Sequence, residues 1–169
     1  MHGRPLVQHQ RIISKTRKAS FRYASPPDAT ELMFLYVELY NEARITEFEL
    51  DTGQAYLSLF HALASGDRPH LLAVIDGKPV GFIAWTVDLT FSKRPIVAMR
   101  EFFVIRKHRR GALGKYLLKL MLLELKHIDA CLFQAALAPR IPDCAGSVRN
   151  LFLKEGMREV GVVMQKILT

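Results

Sequence analysis

Cysteine is nearly absent from this 169-residue chain, with Cys131 and Cys144 the only two. They are too few for a disulfide framework and lack the paired spacing of a zinc site, which predicts a reduced, cytoplasmic protein. A Cys131–Cys144 bridge is the lesser alternative. The six histidines show no zinc-ligand spacing, so no metal is expected. No run approaches the roughly 20 uninterrupted apolar residues of a membrane-spanning helix. The opening MHGRPLVQHQRIISKTRKAS has scattered cations but no long apolar core, unlike a secretory signal. Repeats and low-complexity segments are missing too. What remains is a chain with 50% hydrophobic residues, long enough to bury a substantial core as one domain.

Acids are scarce in one place and crowded in another. The stretch VIRKHRRGALGKYLLKLMLLEL, residues 104 to 125, carries Arg106, Lys107, Arg109, Arg110, Lys115 and Lys119 before its first acid, Glu124. Residues 28 to 51 hold Asp28, Glu31, Glu38, Glu42, Glu47, Glu49 and Asp51 against the single cation Arg44. With a formal net charge of +8, the basic stretch fits an anion and the acidic one a cation, unless both are merely solvated faces.

Residues 1 to 18 have little periodicity and read as a basic N-terminal arm or an extra edge strand. Residues 19 to 169 read as one α/β domain. SFRYAS predicts a short strand, and PPDAT a helix start leading into a helix from Ala29 to Tyr40 with Leu32, Leu35, Tyr36 and Leu39 in step. Asp51 or Thr52 caps a second helix through GQAYLSLFHALA. HLLAVIDGKPVGFIAWTVDL is two β-rich runs around Asp-Gly, a hairpin signal. A strand at 96–105 and a helix at 112–127 follow, then the strand CLFQAALA, the loop PRIPDCAG, a helix SVRNLFLKEGM with Ser147 as cap and Gly156 as stop, and a final strand REVGVVMQKIL. This order requires at least one parallel crossover.

A strand running into a basic turn and a helix that opens on small residues makes an anion cradle. The first-turn amides lack intrahelical partners, the helix dipole favours negative charge, and small residues let a phosphate approach the backbone. Arg109, Arg110 and Lys115 add charge. The junction resembles the acetyl-CoA-binding motif of the GNAT superfamily of N-acetyltransferases: Arg109, two residues, Ala112 at the first glycine position, one residue, then Gly114. HLLAVIDGKPVGFIAW resembles the family's central hairpin, EFFVIRKHRRGALGKYLLKLM its core strand and helix, and LFLKEGMREV its last helix and strand.

The resemblance implies a mixed central sheet with helices on both faces and splayed central strands that admit the pantetheine arm. It implies that backbone groups near Phe103, Val104 and Ile105 hold the pantetheine. Arg109, Arg110, Gly111, Ala112, Leu113, Gly114 and Lys115 would surround the pyrophosphate. Glu101 aligns with a carboxylate that faces the acceptor, the candidate base for the amine proton; its bland alternative is an ion pair with Arg100, Arg106 or another nearby cation. Phe152 stands where the family has a tyrosine that protonates the departing thiolate, and Ala145 where it commonly has an asparagine. Water, Ser147, Cys144 or Tyr116 are the substitutes weighed for that proton. His108 reads as a solvated loop residue, and Trp85, Phe102 and Phe103 as core or tunnel wall.

The implied activity is transfer of an acetyl group from acetyl-CoA to a primary amine. The acidic segment points to a cationic small molecule or a peptide as acceptor, and homodimerisation is common in the family. A GNAT-fold module that binds CoA or a protein without turnover is one alternative. A basic nucleic-acid-binding protein is the other, though it leaves the acidic segment without a role.

Overall fold

The computed structural model describes residues 9–12, 18–43, 49–90, 92–109, 111–136 and 142–159. Its strands form one sheet in sequential order: β1 (His9–Ile12), β2 (Lys18–Tyr23), β3 (His70–Ile75), β4 (Lys78–Asp88), β5 (Ile96–Val104) and β6 (Leu132–Ala135). Neighbours are antiparallel except β5 and β6, which are parallel. A parallel pair needs a crossover, and α3 (Leu113–His127) supplies it. The helices α1 (Ala29–Glu42) and α2 (Thr52–Ser65) cover one face of the sheet, α3 and α4 (Pro142–Lys154) the other.

The central strands show why both faces are covered. All six residues of β3 are buried. Leu71, Ala73 and Ile75 pack with Leu117, Leu118 and Met121 of α3, whereas Leu72 and Val74 pack with Leu32 of α1 and Leu59 of α2. A strand that alternates between two cores has no solvent face, which is why it reads as a continuous apolar run. The Asp-Gly turn follows from its residues: Asp76 and Gly77 both take positive φ, 51° and 77°, as a two-residue hairpin of this hand requires. The side chain of Asp51 accepts the Gln54 amide at 2.9 Å and starts α2, and Gly66 at φ 74° stops it.

One expectation changes, and another lies outside the described residues. The last helix begins at Pro142 rather than Ser147, because proline at the first helical position loses no hydrogen bond and already has helical φ. Ser147 is therefore inside α4 and does not cap it. The expected final strand falls largely on residues 160–169, outside the described residues. Gly156, at φ 86°, ends α4 as expected.

One irregularity in β5 positions the site. Ala84 pairs with Glu101 but Trp85 pairs with Met99, so Arg100 is an extra residue, a bulge. Before it, Val97 and Met99 face α3; after it, Phe102 and Val104 do. The extra residue shifts the alternation by one and turns Glu101 and Phe103 to the α1–α2 face. Beside this, β4 and β5 approach closely at Gly81, where a Cβ would stand 2.8 Å from the Phe103 carbonyl oxygen and 3.1 Å from Val104 Cα. Only glycine fits there.

Among the described residues the pairing of β5 with β6 runs as far as Met99↔Ala135, while β5 continues to Val104 and leads into the turn before α3.

Candidate active site

Glu101 lies at the wall of a cavity of about 310 Å³ between α1, α2 and β5. Met33, Tyr36, Leu39 and Tyr40 line it from α1, Ala55, Ser58 and Leu59 from α2, with Leu50, Arg68 and Glu101 completing it. The volume falls within the range of small-molecule sites. The Arg68 guanidinium donates to Glu101 Oε1 as an ion pair, and the Tyr36 hydroxyl donates to Oε2 at 3.1 Å. The Tyr36 oxygen also lies 2.9 Å from His70 Nε2, and His70 Nδ1 lies 2.7 Å from the Arg68 carbonyl oxygen. Four groups on α1, β3, β5 and the loop before β3 are thus joined in one polar chain beneath an otherwise apolar pocket.

Glu101 does pair with a cation, and the cation is Arg68, not the neighbours Arg100 or Arg106. The acids of residues 28 to 51 do not line the cavity among the described residues. Asp28 is held by a bidentate contact with Arg22 at 2.7 and 2.5 Å, and Glu42 pairs with Arg109 at 2.5 Å. The segment does form the cavity wall, but through Met33, Tyr36, Leu39, Tyr40 and Leu50.

The basic turn lies at the other end of β5. A short 3₁₀ turn, Arg106–His108, leads through Arg109 to Gly111 and to Ala112, the N-cap of α3. Ala112 has no side chain that can accept a hydrogen bond, and the first intrahelical bond is Tyr116 N–H to Ala112 O at 3.0 Å. The amides of Leu113, Gly114 and Lys115 precede that bond and have no place in the helical ladder. Gly111, Ala112 and Lys115 are exposed, as are Arg106 and Lys107, so the mouth is open and cationic. Leu113 is buried in the core under it. Arg110 lies outside the described residues.

Three expected contacts take a different form. The Arg109 side chain folds back under the turn: Nε donates to the Val104 carbonyl at 2.6 Å, Nη1 pairs with Glu42, and the guanidinium sits 5.1 Å from the Phe103 ring centre. It braces the turn against α1 instead of extending to the mouth. The Val104 carbonyl is therefore engaged, and the Ile105 amide donates to Val80 O at 3.0 Å. Phe103 is buried against Phe82. A Cβ on Gly114 would meet the Phe102 ring at 3.2 Å, so this glycine lets α3 pack closely on β5 while Gly111 and Ala112 keep the mouth open.

Phe152 is buried, with ring contacts to Phe102 and Phe133 at centroid distances of 6.3 and 6.4 Å. No hydroxyl is available from that side chain, and its surroundings are apolar. Tyr116 packs edge-on to Phe21, Ser147 is exposed, and the side chain of Cys144 is outside the described residues. Trp85 is also buried, 2% exposed, which removes it from any base-stacking surface.

His70 is fully buried, and burial pushes its imidazole from 6.5 down to about 4. As the pH falls, the unfolded chain takes up this proton first, so the contribution is fully present above about 6.5 and is lost between 6.5 and 4. The loss is about 3 kcal/mol across that window. Urea melts at pH 7 and pH 4.5 should show a steeper decline in the wild type than in His70→Gln; parallel declines would exclude a buried neutral His70.

Among the described residues, no cluster of three or more side chains suits a metal, and no helix is long and apolar enough to cross a membrane. None of the curated proteins compared with this chain matches it. Solved structures do. An aminoglycoside acetyltransferase from an uncultured soil metagenomic sample, in complex with sisomicin, superposes with a TM-score of 0.71 at 15% identity, covering 89% of this chain and 97% of that one. A ribosomal-protein-alanine N-acetyltransferase from Brucella melitensis gives 0.66 at 16%, covering 88% and 99%. A predicted acetyltransferase with acetyl-CoA from Clostridium acetobutylicum gives 0.71 at 12%, covering 88% and 95%. These likenesses concern the fold. The model of the acetyltransferase (GNAT) family matches residues 29–139, from the start of α1 to beyond β6. A mixed sheet between two helical layers, an uncapped α3 behind a basic turn, and this match over most of the chain make it a member of the acetyltransferase (GNAT) family.

Proposed function

We propose that the protein transfers the acetyl group of acetyl-CoA to a primary amine, by direct attack while both substrates are bound. The observation that carries this reading is the position of Glu101. It sits in a pocket on the same strand that ends in the cationic turn, about 10 Å from Val104 at the usual strand rise.

Acetyl-CoA supplies an acyl group already activated as a thioester. The residues fit its anionic end: the amides of Leu113, Gly114 and Lys115 at an exposed, uncapped helix start, with Lys107 and Lys115 adding charge. Glu101 takes the proton of the incoming ammonium, so the nitrogen lone pair is free as it enters. The pocket walls exclude water and orient the amine, which supplies much of the rate through proximity. The buried Phe152 cannot donate a proton; a thiolate of ordinary basicity leaves without one and is protonated by water.

The pocket favours an amine on an apolar body. Among the described residues its one carboxylate, Glu101, is paired with Arg68, and most of the remaining lining is apolar or aromatic. A polycation would have to surrender its hydration to Met33, Leu39, Leu50 and Leu59. Thiol release from acetyl-CoA should therefore be faster with phenethylamine than with spermidine at equal concentration. The reverse order would favour a polycationic acceptor, and no release with any amine would leave a silent CoA-binding module.

A further inference from the structure

Tyr36 stands between two acceptors. Its hydroxyl lies 2.9 Å from His70 Nε2 and 3.1 Å from Glu101 Oε2. His70 Nδ1 faces the Arg68 carbonyl oxygen at 2.7 Å, and a carbonyl only accepts. Nδ1 therefore carries the ring proton, and Nε2 of the neutral ring is an acceptor. Burial, with the charge of Glu101, pushes the Tyr36 phenol well above its ordinary range, so it keeps its proton. With Glu101 ionised, one hydroxyl proton faces two acceptors and one of them goes without. With Glu101 protonated the conflict disappears: Glu101 donates to Tyr36 Oη, and Tyr36 donates to His70 Nε2.

We propose that Tyr36 and His70 are positioning residues that hold the proton Glu101 takes from the acceptor amine, because the protonated carboxyl is the state in which the Glu101, Tyr36 and His70 protons each meet one acceptor. This rests on the acetyl-transfer reading. The ammonium N–H bond breaks and the Glu101 O–H bond forms; the nitrogen keeps the electron pair and forms the new bond to the acyl carbon as the C–S bond breaks, and a second N–H proton then passes through water to the departing thiolate, leaving the neutral amide. The proton leaves Glu101 to solvent after the product departs. Arg68 opposes the chain, since its guanidinium on Oε1 favours the anion, and Arg100, next along β5, adds positive charge nearby. Among the described residues, Tyr40 is the remaining titratable group on the cavity wall, from α1; α2 contributes Ser58, which does not titrate. Arg68 is joined to the chain at both ends, by its side chain to Glu101 and by its carbonyl to His70.

The test compares His70→Asn with His70→Gln. An asparagine amide can replace the Nδ1 donor but leaves the Nε2 position empty, whereas a glutamine carbonyl reaches that position and accepts from Tyr36. His70→Asn should lower kcat for phenethylamine by about tenfold, the equivalent of about 1.4 kcal/mol, and His70→Gln should stay near wild type. KM for acetyl-CoA should be unchanged in both, so that the loss falls on the chemical step. A wild-type kcat in a folded His70→Asn, or a 15N spectrum showing the Nε2–H tautomer of His70, would overturn the proposal even with acetyl transfer intact. A wild type that acetylates no amine removes the reading the proposal rests on, while the Nδ1–H tautomer in its 15N spectrum upholds the chain itself.

Discussion

Glu101→Gln should lower kcat by about 10²- to 10⁴-fold, the usual contribution of a general base, while acetyl-CoA still raises the melting temperature as in the wild type. Glutamine has the shape of glutamate and still accepts from Tyr36, so the pocket keeps its geometry. What it loses is a site for the amine proton and a partner for Arg68. Arg68 remains partly exposed, its side chain 28% accessible, so water can take over the solvation that the carboxylate provided. Thiol-release assays with phenethylamine and a thermal melt with acetyl-CoA would show both effects. A variant with wild-type kcat would assign Glu101 to the Arg68 pair alone and leave the amine to be deprotonated in solution.

Ala112→Asp should weaken acetyl-CoA binding by about 100-fold and leave the unliganded protein as stable as before or slightly more so. The two effects have opposite signs because one carboxylate is added at one helix end. An acid there favours the helix by about 0.5 kcal/mol through the macrodipole and by capping the first-turn amides. The same acid occupies those amides and repels a phosphate, and like charges brought together at an interface cost several kcal/mol. Ala112 is exposed, so its replacement disturbs no packing. Gly114, whose missing Cβ makes room for Phe102, is the poorer test because a substitution there moves α3 as well. Calorimetric titration with acetyl-CoA and a thermal melt without it give the two halves. Undiminished affinity would mean that the pyrophosphate lies elsewhere.

Much of the fold was legible from periodicity and turn chemistry. The apolar face of α3, the Asp-Gly turn and the Asp51 cap each depend on neighbours within a few residues, and such signals survive in a single sequence. The start of α4 was misplaced because Ser147 is a good cap in isolation, while Pro142 shows its value only once the helix runs from it. The polar chain under the pocket was not legible. Tyr36 has a place in the apolar period of α1 and reads as core. His70 opens an apolar strand, and Arg68 sits in a turn-like stretch. Their links to one another and to Glu101 span separations of 34, 65 and 33 residues, which no local pattern encodes. Arg109 was assigned outward by its motif position, and nothing in the sequence shows Glu42 waiting on α1. One signal was present and unread: Arg100 and Glu101 are adjacent charges in the middle of an apolar strand, where a two-residue alternation would place one of them in a core.

The bulge at Arg100 also bears on how this chain should be compared with its distant relatives. On β5 the chemistry of a position depends on a count, and the count differs on the two sides of the bulge. Numbered forward from Ile96, Glu101 falls on the same face as Val97 and Met99; numbered back from Val104, it falls on the face of the pocket. An alignment at the identities seen here, 12 to 16% for the structures described, that carries the strand through without a gap can therefore match Glu101 to a core residue of a relative lacking the extra residue. Position on this strand is better measured from the turn before α3.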